Sequence, residues 1–244
     1  MKNSIDCYIP ARLGSLRVPA KNLRILGDRP LIAHTIRTLK QVKNISSFCV
    51  NTESAIIADV ATRYESNVYI RDPNLASSDT STDDIIYNYA INSMADNILI
   101  VNPTAPFLKS SSIDAAAQHF IKTRRSLFSS NQIRRHALFR GAPLNFSSHR
   151  KSPRTQELEP IALINFIFIF LNKAEVIAAY ERQGYCLYSS DMQLWPLDGL
   201  EAWDIDDEFD FQLAQWAISK HGHQEPEYAP EVAAMIKLGA RFES

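Results

Sequence analysis

Two short stretches hold the residues best suited to chemistry. Between Pro10 and Asn22 the chain places three cations, Arg12, Arg17 and Lys21, together with Gly14, Ser15 and a second proline, Pro19. Gly14 and Ser15 can turn backbone N–H groups inward as an anion nest. The three cations offset phosphate charge, and the prolines limit the ordering entropy lost on binding. A nucleoside triphosphate suits such a loop. Near the other end of the chain, Asp204 and Asp206 alternate with Trp203 and Ile205. An extended backbone puts both carboxylates on one side and their apolar neighbours on the other. Two oxygen ligands at that spacing suit Mg²⁺, which prefers one or two carboxylates plus phosphate oxygens and water. Asp207 or Asp210 then caps or starts a helix. Taken alone, the same acids also fit a solvated helix N-terminus.

These residues need a scaffold, and the hydrophobic pattern supplies one. Apolar runs near 5–9, 47–51, 67–71, 97–102, 126–130, 164–171 and 186–189 read as strands. Helical spacing appears near 31–42, 54–64, 83–94, 111–123, 173–182, 207–220 and 230–238. Their alternation predicts an α/β fold with a mainly parallel sheet and helices on both faces. The loop from Pro10 to Asn22 then leaves the carboxyl end of the first strand, where open α/β sheets bind ligands. The chain of 244 residues reads as one domain, 1–244, with an excursion near 131–170, whose part near 131–160 is rich in Pro, Ser and Asn. The run from Phe166 to Phe170 is apolar enough for either sheet core or an interface.

Composition narrows the classes. A net charge of -1 argues against a global nucleic-acid or membrane-surface binder. No apolar run reaches the length of a bilayer span. The N-terminus enters a strand without a secretory pattern, so the cytoplasm is the expected compartment. Cys7, Cys49 and Cys186 sit in apolar runs without C-x-x-C spacing and read as inert buried thiols. From Ala115 to Gln156 there is no Asp or Glu, while Lys122, Arg124, Arg125, Arg134, Arg135, Arg140, Arg150, Lys151 and Arg154 all fall there. That one-sign stretch suits a solvated surface, a subunit contact or a wall facing an anionic ligand. A nucleic-acid patch fits less well, because aromatic interleaving is thin.

The first loop resembles the opening motif of the N-acylneuraminate cytidylyltransferases (CMP-sialic acid synthetases), whose relatives act on legionaminic, pseudaminic and ketodeoxyoctulosonic acids. Their pattern runs roughly I-P-A-R-x-G-S-K-R-x-P-x-K-N. Arg12, Gly14, Ser15, Arg17, Pro19, Lys21 and Asn22 match it, and Leu16 stands where Lys is usual. The segment from Trp203 to Phe211 is similar to the closing motif D-I-D-x-x-x-D-F. Three weaker echoes lie between. Arg71 to Asp84 looks like a segment lining the nucleotide site, with Ser78 or Asp79 at its acidic position, and it also reads as a helix start capped by Ser81 or Thr82. Val101 to Phe107 looks like L-Q-P-T-S-P-L-R, with Asn102 for Gln and Leu108 for Arg. Arg154 to Pro160 looks like R-x-Q-D-L-x-P, followed by a strand that carries N-G-x-x-Y; Asn165 keeps the Asn, while Phe166 replaces Gly and Ile169 replaces Tyr.

The resemblance implies a Rossmann-like sheet of the nucleotide-diphospho-sugar transferase type, with a small dimerisation excursion. It implies transfer of CMP from CTP to an acidic, nonulosonic-type sugar, with release of pyrophosphate, for cell-surface glycan synthesis. Arg12, Lys21 and Asp204 would be catalytic, and Asp204 and Asp206 would hold Mg²⁺. Arg12, Gly14, Ser15, Arg17, Lys21, Asn22, Arg71, Ser78 and Asp79 would bind the nucleotide. Asn102, Thr104, Arg154, Gln156 and Asn165 would face the sugar, with Arg154 or another cation pairing with its carboxylate. The expected partners are CTP, an acidic sugar and a second copy of the chain, with neither nucleic acid nor membrane. Leu16, Leu108, Phe166 and Ile169 imply either a divergent substrate or a member kept for binding or assembly. A transferase for another sugar is the further alternative.

Overall fold

The computed structural model describes residues 3–14, 17–77 and 79–219; Ser15, Leu16, Ser78 and the helix expected near 230–238 lie outside them. The strands are β1 (Ile5–Pro10), β2 (Ile25–Leu26), β3 (Arg29–Pro30), β4 (Ser47–Thr52), β5 (Asn67–Ile70), β6 (Asn97–Val101), β7 (Ser126–Ile133), β8 (Leu138–Phe139), β9 (Ala142–Pro143), β10 (Ile161–Asn172) and β11 (Met192–Pro196). The helices are α1 (Leu31–Leu39), α2 (Ala55–Arg63), α3 (Thr82–Asn92), α4 (Ser110–Thr123), α5 (Lys173–Gln183) and α6 (Glu208–Ser219). Seven strands form one sheet in the order β11-β7-β10-β6-β1-β4-β5. β1 pairs in parallel with β4 and β6, β4 with β5, and β11 with β7. Only β10 runs against its neighbours, β6 and β7.

Alternation along the strands fills two cores. Ile5, Cys7 and Ile9 of β1 face α1, α2 and α4, whereas Tyr8 faces α3 and α5. All five residues of β6 are buried, as a parallel strand covered on both faces requires. Burying each of its larger apolar side chains contributes roughly 1.5–3 kcal/mol. The run Ile167–Leu171 is sheet core, at 0–2% exposure. Ser54 and Asn172 cap α2 and α5 through their side chains. Ser81, rather than Thr82, caps α3 in a reciprocal box with Asp84.

One local expectation fails, and one hairpin has no counterpart in the sequence reading. The stretch 186–189 is a turn, and the strand lies later, at β11. The backbone N–H groups of Cys186 and Leu187 donate to one oxygen of Asp83, at 2.6 and 2.7 Å. Both residues are buried in the second core, which gives a turn the hydrophobicity of a strand. The hairpin β2–β3 escaped the pattern because two-residue strands have no period. Its Gly27 has φ +66°, and a Cβ there would stand 2.9 Å from Ile218.

The chain passes from β1 outward through β4 to β5, then returns to the opposite side of β1 as β6. The strand order therefore reverses between β1 and β6, and a crevice opens beyond their carboxyl ends. A third apolar cluster underlies it, joining Val18 of the first loop, Leu26 and Leu31 to Ile205, Phe211 and Ala214. This cluster brings two motifs nearly the whole chain apart into one site. Among the described residues no helix is long and apolar enough to cross a membrane.

Candidate active site

Two cavities meet at the crevice, one of about 920 Å³ and one of about 550 Å³. Pro10, Arg12, Asn102, Asp204 and Asp206 line both. Arg17, Lys21, Asn22 and Thr104 line the smaller one alone, and Arg71 and Asn165 the larger one alone. The first loop and the paired carboxylates thus converge. Gly14, Asp79, Arg154 and Gln156 line neither cavity of this chain. Arg154 and Gln156 sit at an exposed 3-10 turn over 155–157, where the Arg154 N–H donates to Glu157 at 3.0 Å. None of the nine cations of the acid-free stretch lines these two cavities.

The paired carboxylates are held from three directions. Ile205 is fully buried between them, and its N–H donates to the Thr104 carbonyl at 2.9 Å. Lys21 Nζ donates to the Ile205 carbonyl, tying the first loop to the same residue. Asp210 accepts the N–H groups of Asp206 and Asp207, at 2.9 and 3.2 Å, and Asp207 accepts the N–H of Asp210, a reciprocal cap on α6. Burial pushes the Asp204 carboxyl above the usual aspartate range; Asp206 adds to the rise, while the Thr104 hydroxyl and Lys21 oppose it. Burial likewise holds the Lys21 ammonium below the usual lysine range, against the pull of Asp204 and Asp206. Asp204 Oδ1 is buried without a hydrogen-bond partner. A buried oxygen of that kind beside a second carboxylate fits a divalent cation. Asp206 meets Arg17 in an exposed pair at 2.8 Å. Asn22 is buried, and its Nδ2 donates to the Arg12 carbonyl at 3.2 Å, so it shapes the loop that presents Arg12.

One contributor gave no motif signal. Glu53, just past β4, accepts the Leu13 N–H at 3.0 Å with one oxygen and the Arg71 guanidinium at 2.7 Å with the other. Burial raises its carboxyl, yet the Leu13 and Glu53 N–H groups and Arg71 together hold it below the usual range. Glu53 therefore couples a cavity-lining arginine to the phosphate-suited loop. The only hint in the sequence is an acid directly after a buried strand. The side chains of Arg71 and Glu53 are only 2% and 15% exposed. Removing one partner of such a buried pair leaves the other charge uncompensated. Glu53→Ala is expected to lower stability by about 3–5 kcal/mol, read from the urea midpoint.

The departures from the family pattern divide. Leu108 is 4% exposed in the first core and lines neither cavity, so its change from Arg is a packing choice. Ile169 and Phe166 do line the larger cavity. Phe166 has φ +54°, the left-handed region that glycine enters freely. This explains the pattern's Gly and puts about 1–2 kcal/mol of backbone strain into a phenylalanine. A network holds the distortion. Asn102 Nδ2 donates to the Phe166 carbonyl at 2.7 Å, the Ile167 N–H donates to Asn165 Oδ1 at 3.3 Å, and the Phe168 N–H donates to Ser129 Oγ at 3.0 Å. The β7–β10 register breaks at the same place, between Ile164 and Ile169.

An open α/β sheet with both of these motifs at its switch point has the architecture of the nucleotide-diphospho-sugar transferases. A solved structure of CMP:2-keto-3-deoxy-manno-octonic acid synthetase complexed with CTP superposes with a TM-score of 0.69 at 14% identity, covering 90% of this chain and 100% of that one. Residues 7–163, more than half of the chain, match the family described as cytidylyltransferase, and the chain belongs to that family. CMP-N,N'-diacetyllegionaminic acid synthase of Legionella pneumophila is 37% identical over 139 residues, 53% of this chain and 58% of that protein. N-acylneuraminate cytidylyltransferase of Oncorhynchus mykiss is 25% identical over 232 residues, 91% of this chain and 52% of that protein. The chain therefore spans little more than half the length of either relative.

Proposed function

We propose that this chain transfers CMP from CTP to the anomeric hydroxyl of an acidic, nonulosonic-type sugar and releases pyrophosphate, in the cytoplasm and for cell-surface glycan synthesis. The observation that carries the reading is that Arg12, Asp204 and Asp206 line both cavities. A phosphate-suited loop and a roomier acceptor chamber thus share one boundary, where a reacting phosphorus can sit. Membership of the cytidylyltransferase family and relatives that bear CMP-sugar synthase names support the nucleotide and the acid.

In this reaction the hydroxyl oxygen bonds to the α-phosphorus, and the bond from that phosphorus to the β-bridging oxygen breaks. Pyrophosphate leaves with the electron pair, and the hydroxyl gives its proton to solvent water. Such transfer needs positioning and charge stabilisation more than covalent chemistry. Lys21 and Arg12 set positive charge at the crevice, where the partial burial of Lys21 strengthens its contribution. The loop that Glu53 holds through the Leu13 N–H fixes the nucleotide end, while Arg71, on the other oxygen of Glu53, lines the larger chamber. Asp204 and Asp206 would hold Mg²⁺, which would offset negative charge on the phosphate oxygens. At the exit of β6, Asn102 lines both chambers and Thr104 the smaller one.

The cation for the sugar carboxylate comes from a second copy in this reading. The segment 134–160 carries Arg134, Arg135, Arg140, Arg150, Lys151 and Arg154, and it exposes Leu138, Phe139 and Leu144. A homodimer that buries those apolar side chains brings partner cations toward the acceptor chamber. The test is pyrophosphate release from CTP with Mg²⁺ across a panel of nonulosonic and octulosonic acids, with ATP, GTP and UTP as controls. Turnover with CTP and one class of acid is expected. Turnover with another nucleotide, or with neutral sugars alone, would overturn the assignment.

A further inference from the structure

We propose that Phe166 and Ile169 turn the far wall of the acceptor chamber apolar, and that this wall selects an acid ending in a methyl where a fully hydroxylated sugar acid carries a hydroxymethyl. The inference rests on the reaction proposed above and names the acceptor that it takes. The cavity runs along the sheet from β5 to β7. Its charged residues, Arg12, Arg71, Asp204, Asp206 and Asp210, all come from the ends of β1 and β5 and from the stretch before and within α6. The opposite side, built by β7, β10 and the turn after α5, presents Leu163, Ile164, Phe166, Ile169 and Leu187 and no charge.

The Asn165 amide on that side is already engaged. Asn165 Oδ1 accepts from the Ser129 hydroxyl and the Ile167 N–H, and its Nδ2 donates to Asn131. Asn102 Nδ2 is engaged by the Phe166 carbonyl. The Phe166 ring meets both Phe128 and Tyr188 edge-on, with centroids 6.4 Å apart in each pair. Phe128 and Tyr188 stack on each other at 5.8 Å. A substrate hydroxyl pressed against the Phe166 ring or the Ile169 side chain would lose its water without gaining a partner there, whereas a methyl gives up no hydrogen bond. The two departures agree in direction: a ring fills space that the pattern's Gly leaves open, and Ile169 removes a Tyr hydroxyl that could meet a substrate oxygen. The strained backbone at Phe166 persists only because its network over-determines it, as functional outliers do.

The test uses two nonulosonic acids that are identical except for CH₃ or CH₂OH at the chain end. The expected kcat/KM for pyrophosphate release favours the methyl acid by roughly 10-fold or more, within the range one apolar group commands. Phe166→Asn, whose residue tolerates the left-handed backbone, should bring the preference below about 3-fold while CTP binding by calorimetry stays unchanged. Phe166→Leu keeps an apolar side chain and should retain the preference, which separates the wall from folding. Equal kcat/KM for the two acids in the wild type, or a preference untouched in Phe166→Asn, overturns the proposal. Calorimetry of both acids on protein saturated with CMP reads the same preference without turnover. A methyl preference there without pyrophosphate release supports the wall and sinks the reaction; release without any preference sinks the wall alone.

Discussion

Asp204→Asn should remove turnover by a factor on the order of 10³ while leaving the protein at least as heat-stable as the wild type at pH 7. The two effects have one cause. Burial holds the Asp204 carboxyl above the usual aspartate range, so its ionised form is disfavoured in the folded chain. A raised folded-state value contributes stability that is present below the unfolded aspartate value of 3.8 and is lost as pH rises through the folded value. As pH rises the ligand-free protein loses that contribution, and an amide avoids the loss while still accepting from Thr104. The melting temperature of the variant minus that of the wild type is therefore expected to be zero or positive at pH 7 and to shrink as pH falls toward 3.8. Mg²⁺ with CTP should raise the wild-type melting temperature by mass action and leave that of the variant nearly unmoved. Differential scanning calorimetry and a pyrophosphate assay read both halves. Turnover within tenfold of wild type would remove Asp204 from the metal site.

How far such a site is legible in a sequence depends on what sets each residue's place. Arg12, Lys21, Asp204 and Asp206 were legible because residue type and a strand end are local facts. Their convergence, through the cluster of Val18, Ile205 and Phe211, is tertiary and left no local mark. Glu53 was missed because its partners, Leu13 N–H and Arg71, lie 40 and 18 residues away. The fold followed from alternating strand and helix periods, yet the reversed direction of β10 did not, since side-chain period carries no strand direction. The turn at Cys186–Leu187 imitated a strand because it is buried, while β11 was overlooked because it is a short edge strand ending in Pro196. Phe166 was noticed as a departure, but its left-handed backbone was not readable. Arg154 and Gln156 match a motif and still lie outside the two cavities; a motif names residue types, not where the fold puts them.

Lys21→Met is the second substitution with a large expected effect, lowering kcat/KM by roughly 10²–10³, the scale for losing one charge-stabilising donor. The pH profile separates charge from architecture. Burial places the Lys21 ammonium below its usual value of 10.5, so in the free enzyme it loses its proton earlier on the alkaline side than an ordinary lysine. The kcat/KM profile reports free-enzyme groups and should fall on an alkaline limb that begins below pH 10.5. Lys21→Arg keeps a charge that does not titrate in this range, so its residual activity should lack that limb. The Lys21 contact to the Ile205 carbonyl predicts a further split. Losing the contact frees the segment that carries Asp204 and Asp206, so Lys21→Met should also weaken the Mg²⁺-dependent rise in melting temperature, whereas Lys21→Arg, able to donate to the same carbonyl, should keep most of it. A Lys21→Met enzyme with an unchanged alkaline limb would assign that limb to another group and leave Lys21 a structural tie between the two motifs.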